Sequence, residues 1–167
     1  MMVSAPVISD HQSEITTAEK ILQVATSAFA RNGFKGASIR EIAREVGISV
    51  ATLYYYVASK DELYHKVFQR QYQEEYDLIY GILRLEDDSV VQDPGKLRTL
   101  LYLLVDALID RSVKNPDIVR LWTSRWLEKP RETEDIEAKY SIPLYQMIDD
   151  LLQRACDSGS IRPEGIS

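Results

Sequence analysis

Apolar residues recur along this chain at intervals of three and four, the spacing that gives an α-helix one buried face. Ile21, Leu22, Ala25, Ala28 and Phe29 mark the first such stretch. It predicts a helix from near Thr16, where Thr16 and Glu19 have capping-box spacing, to about Asn32, with Gly33 as the stop. Phe34 and Ala37 in the following loop are predicted to plug the core beneath it. Ile39, Ile42, Ala43 and Val46 give a short helix opened by the Ser38–Glu41 pair. Gly47 stands where a left-handed residue is wanted, and Ser49 caps a second short helix with Val50, Leu53 and Val57 inward. Two short helices around a tight glycine turn are helix-turn-helix grammar.

The pattern continues as a helical bundle. Ser59 and Glu62 open a long helix from Lys60 to about Leu85, with Leu63, Val67, Tyr72, Tyr76, Ile79 and Leu83 apolar. A connection bracketed by Asp87-Asp88 and Asp93-Pro94-Gly95 leads to an apolar helix from about Lys96 to Lys114. Asn115-Pro116 breaks it, and the next helix sets Trp122 and Trp126 at i,i+4 before Pro130 ends it. A last helix, from roughly Thr133 to Asp157, is predicted to be interrupted or kinked at Pro143. The first segment, Met1 to Ser13, and the tail from Ile161 read as irregular. The expected fold is all-α: an N-terminal three-helix helix-turn-helix domain over residues 14–58, then a C-terminal helical bundle over 59–167 whose first helix links the two.

The outer face of the second short helix decides its use. With Leu53 inward and 100° per residue, Ala51, Thr52 and Tyr55 point outward and Tyr54 and Tyr56 lie on the flanks. Small or apolar residues near such a helix's start meet thymine methyls in a DNA major groove, and hydroxyls reach phosphates. Three tyrosines in a row also fit a plain amphipathic core edge, but the capped helix and glycine turn in front of them favour DNA reading. Arg40 and Tyr55 are then candidates for base edges, Val50 and Ala51 for methyl contacts, and Ser38, Thr52, Tyr54 and Lys60 for phosphates, with the whole of Ser49 to Tyr56 entering the groove. Lys60 opposes the dipole of the helix that it opens, so it is not there for local stability.

The run SIREIAREVGISVATLYYYVASKDEL resembles the N-terminal domain of TetR-type transcriptional regulators, and the resemblance extends from about Glu14 to Leu83. Val57 departs from the phenylalanine usual there; it trims volume but stays apolar. The resemblance implies a ligand-responsive repressor, a homodimer on a palindromic or near-palindromic double-stranded operator, and a Lys60 that reaches a backbone phosphate. It also implies that an effector in the C-terminal bundle shifts the long helix, changes the spacing of the two heads and lowers operator affinity. TetR-type chains usually continue for two more helices that commonly form the dimer interface. This chain stops before them, so either it is a truncated product or it dimerises through the Thr133–Asp157 helix and its neighbours.

Composition agrees with a helical globular protein. Hydrophobic residues make up 45% of the 167, and glycine and proline number only 7 and 6. Cys156 stands alone, no apolar run reaches membrane-span length, and the start lacks a signal peptide's pattern, so a cytoplasmic protein is expected. The net charge of −6 changes meaning once divided. From Glu14 to Lys66 there are seven basic and six acidic side chains, a net +1; the acidity lies mostly beyond Val67. Such a head relies on a few placed contacts rather than a basic carpet.

Tyr72, Tyr76, Leu101, Tyr102, Trp122, Trp126, Tyr140 and Met147 are the candidates for lining an effector cavity in the bundle. Each alone reads more simply as core. As a set they permit an apolar pocket with a few donors, suited to an apolar or aromatic effector. Arg125 would pair an effector carboxylate, or equally a surface acid. Catalysis has little support: neither His11 nor His65 has a nucleophile at motif spacing, Asp87-Asp88 and Asp149-Asp150 read as solvated charge, and no phosphate loop or metal-ligand cluster appears. No cofactor is expected. The stronger rival is a helical interaction protein that uses its helix-turn-helix for packing alone.

Overall fold

A computed structural model describes residues 15–84, 88–127 and 136–161. The helix end expected at Leu85, the break at Pro130, the start at Thr133, the first segment to Ser13 and the tail past Ile161 lie outside them. Among the described residues every regular element is helical, and no helix is long and apolar enough to cross a membrane.

The head comprises α1 (Thr17–Gly36), α2 (Ile39–Val46) and α3 (Val50–Tyr56). The Thr16 Oγ1 accepts the Glu19 N–H at 3.2 Å, as the cap predicts. The stop expected at Gly33 is a break inside α1: Gly33 takes φ 64°, and one more helical turn follows it. Phe34 and Ala37 are buried, as expected of plugs. Gly47 is left-handed (φ 86°, ψ 29°), and its N–H and that of Ile48 both return to the Ala43 carbonyl at 3.0 Å. A Cβ there would meet no neighbouring atom within 4 Å, so Gly47→Ala carries only the backbone cost. It is expected to lower unfolding free energy by about 1–2 kcal/mol, read from a denaturant midpoint.

The body is built on α4 (Lys60–Leu83), one-turn α5 (Asp88–Gln92), α6 (Pro94–Lys114), α7 (Pro116–Leu127) and α8 (Ile142–Asp157). A wide π turn, Glu137–Ser141, leads into α8, in the place where a kink at Pro143 is expected. Proline has no N–H for the preceding turn, and the widened register accommodates that. The stretch read as a plain connection contains α5, which packs on α6 and α8.

Two apolar cores result. The first joins α1–α3 to Leu63, Tyr64, Val67 and Phe68 of α4 and runs on to Leu121 in α7 and to Ile136 and Tyr140. The second joins Ile79 and Ile82 to α5, α6 and α8. Helix α7 is the widest packing partner of α1, and the Ser27 hydroxyl donates to the Asp117 carboxylate at 2.6 Å across that contact.

Candidate nucleic-acid interface and ligand cavity

Helix α3 is short, and three features hold it. Leu53 has no exposed surface, Ser49 Oγ accepts the Thr52 N–H at 2.9 Å, and the Gly47 turn fixes its angle to α2. What remains outward is Ala51, Thr52, Tyr54 and Tyr55, all exposed, with Tyr55 at 85%. A tyrosine so far out of the core does nothing for packing. Tyr56 is half-buried on the core edge and meets Tyr55 edge-on at 5.5 Å, and Val50 is half-buried against the same core. Ser49 is exposed, and its hydroxyl also pairs with that of Thr52 at 2.8 Å.

The flanking candidates come from α2 and α4. Ser38 Oγ faces the Glu41 N–H at 3.5 Å, at the limit of a hydrogen bond. Arg40 is exposed on the outer face of α2. Arg44 follows it at i,i+4 on the same exposed face; the spacing signals it, although the motif reading above does not include it. Lys60 is half-buried at the start of α4, its Nζ 4.7 Å over the Phe34 ring and 3.4 Å from the Lys35 carbonyl. A residue absent from the sequence candidates, Lys66, fastens the α3–α4 turn by donating to the Tyr56 carbonyl and to Glu62, each at 2.9 Å. The second oxygen of Glu62 accepts the Ala58 N–H at 2.6 Å, one residue before the reciprocal partner that a capping box would use. The Lys66 and Ala58 hydrogen bonds hold the Glu62 carboxyl below its ordinary range.

In the body, a cavity of about 260 Å³ opens between α4, α6, α7 and α8. Of the nine sequence candidates it brings together Trp122 and Trp126, on one face of α7. Tyr72 instead meets Tyr76 at 5.9 Å and Tyr140 at 5.7 Å, and Leu101 and Met147 pack against the second core. Tyr102 points outward at 68% exposure. Arg125 is not a surface residue: it continues the inward Ile118–Leu121 stripe of α7 and is only 4% exposed, and it does not line the cavity.

The polar lining was not legible in the sequence. Glu75 and Arg111 face the cavity together with Ser112, Thr123, Ser141 and Tyr145. Arg111 reaches across from α6 to α4, bonding the Gln71 carbonyl at 3.2 Å and the Glu74 carboxylate at 3.1 Å. Glu74 also holds Arg70, which pairs with Glu19 at the start of α1. Charge thus runs continuously from α6 through α4 to the head. Burial pushes the Glu75 carboxyl up, and the Arg111 guanidinium opposes that shift.

Residues 21–67 match the family model of bacterial regulatory proteins, tetR family. The chain is similar to the HTH-type transcriptional repressor KstR2 of Mycolicibacterium smegmatis, 26% identical over 150 residues covering 87% of this chain and 68% of that protein. It is also similar to the biofilm operon icaADBC negative regulator IcaR of Staphylococcus epidermidis, 31% identical over 71 residues, 42% of this chain and 37% of that one. The crystal structure of HlyIIR, a hemolysin II transcriptional regulator, superposes with a TM-score of 0.63 at 25% identity, over 90% of this chain and 78% of that chain.

Proposed function

This chain is a TetR-type DNA-binding transcriptional regulator, and from that premise we propose that it is a repressor released from its operator by a small molecule bound in its helical body. The head is taken as residues 14–58 and the body as 59–167, working in the cytoplasm as a homodimer on a palindromic or near-palindromic site. The observation that carries the reading is the outer face of α3. Four exposed side chains, Ala51, Thr52, Tyr54 and Tyr55, stand on a helix whose opposite side is locked by Leu53. Such a helix is rigid enough to present side chains to a groove and has no other packing role for that face.

In this reading Arg40 and Tyr55 read base edges, Ala51 and the rim of Val50 meet thymine methyls, and Ser38, Ser49, Thr52, Tyr54, Tyr56 and Lys60 hold the backbone. Effector binding reaches the head by two routes. Helix α4 carries Lys60 at one end and Glu75 at the cavity, about 22 Å apart along the axis. Helix α7 lines the cavity with its tryptophans and grips α1 through Ser27 and Asp117. The effector lowers operator affinity only by binding the two head spacings unequally.

The test is fluorescence anisotropy of the protein on a duplex from its own upstream region beside a scrambled duplex, at ~0.15 M salt. A preference of about a thousandfold or more for the upstream duplex is expected of a specific regulator. Equal, weak binding to both duplexes by a protein whose mass in solution is that of a dimer would count against it.

A further inference from the structure

The cavity in the body has a chemical bias that its apolar lining alone does not set. We propose that it binds an organic cation, a substituted ammonium on an aryl or alkyl body, with Glu75 as the counter-ion and Trp122, Trp126 and Tyr145 as the aromatic walls. This extends the effector reading by naming the ligand class, and it rests on that reading.

Glu74 and Glu75 are adjacent on α4, yet they stand in different surroundings. Glu74 is committed to Arg70 at 2.8 Å and Arg111 at 3.1 Å. Glu75 makes no hydrogen bond or ion pair with any described residue, although it is half-buried at the cavity wall. Arg111 is near enough to be felt, but its Nη2 turns to Gln71 and to Glu74, with which it forms its ion pair. The carboxylate therefore keeps acceptor capacity directed at whatever fills the space. A carboxylate taken partly out of water is costly unless it is paired, and an entering cation supplies the pair. The walls favour the same charge. The Trp122 and Trp126 rings are 6.4 Å apart, and with Tyr145 they line the space with aromatic surface, which attracts a cation and packs against the apolar rest of a ligand. An anionic ligand would meet Glu75 instead, offset only by Arg111, whose positive charge Glu74 and Glu75 already share.

The chain holds two tryptophans, and both line this cavity, so intrinsic tryptophan fluorescence reports on its occupancy without a label. The full chain is titrated with benzyltrimethylammonium, with neopentylbenzene as its uncharged isostere, and with phenylmethanesulfonate as the anion of similar size. The expected result is a saturable change with the cation, at an affinity at least about tenfold above the other two. In Glu75→Gln that advantage is expected to vanish while the neutral isostere binds as before. The amide keeps the shape and removes a partly desolvated charge, so the variant folds; its thermal melt is run alongside. A neutral isostere that binds as well as the cation, a preference for the sulfonate, or cation affinity unchanged in Glu75→Gln each overturns the charge assignment and leaves the cavity a ligand site. No saturable change with any of the three probes overturns the cavity as the effector site as well.

Discussion

Phe68→Ala is expected to be the most damaging single substitution considered, lowering unfolding free energy by about 3–5 kcal/mol. Phe68 has no exposed surface. It meets Tyr64 edge-on at 4.9 Å and Trp122 edge-on at 4.7 Å. Tyr64 in turn meets Phe29 and Phe34 at 4.9 and 5.0 Å, so one ring closes a chain of aromatics from α1 through α4 to α7. Each such pair adds about 0.5–1.5 kcal/mol beyond the area it buries, and the cavity left behind adds its own cost. For a chain of this length the melting temperature should fall by about 6–20 °C. Tyr55→Ala is the control: at 85% exposure it should leave stability within about 0.5 kcal/mol. A Phe68→Ala melt indistinguishable from the parent would mean that the ring does not close the junction of head and body. Because Trp122 also lines the cavity, the variant's tryptophan emission should shift even where it remains folded.

The head was legible from residues because its signals are local. Thr16, Ser49 and Ser59 cap where their spacing says they should, and Gly47 takes the one backbone region where glycine is favoured over any side chain. Leu53 and Val57 turn inward as a helical period requires. The body was legible only as helices. A row of aromatics in α4, α7 and the π turn says that these faces are buried, not against what. Tyr72 packs on both Tyr76 and Tyr140, while Trp122 and Trp126 line the cavity; the difference is tertiary. Glu75 was hidden for a related reason. In sequence it is one of two adjacent acids on a polar stretch, and only the crossing of α4 by Arg111 separates a committed carboxylate from an uncommitted one. Arg125 misled because charge is normally a surface signal.

Arg40→Ala and Lys60→Ala should weaken operator binding in different ways, and the difference tests the division between reading and holding. Arg40 is exposed on α2 and forms no hydrogen bond or ion pair with any described residue, so its guanidinium is available for a bidentate contact to a base edge. Its removal should cost about 1–3 kcal/mol on the preferred duplex and little on others, relaxing preference at one position. Lys60 is the first residue of α4, the helix end whose dipole favours a phosphate. Its removal should weaken every duplex alike and reduce the slope of log affinity against log salt by about one. Lys60 also lies over the Phe34 ring, so part of its loss could act through the fold. A melt separates the two, because a loss of phosphate contact leaves the melting temperature of the free protein unchanged. Equal losses on every duplex from both substitutions, with both salt slopes reduced, would place Arg40 on the backbone as well and leave base reading to Tyr55 and the rest of α3.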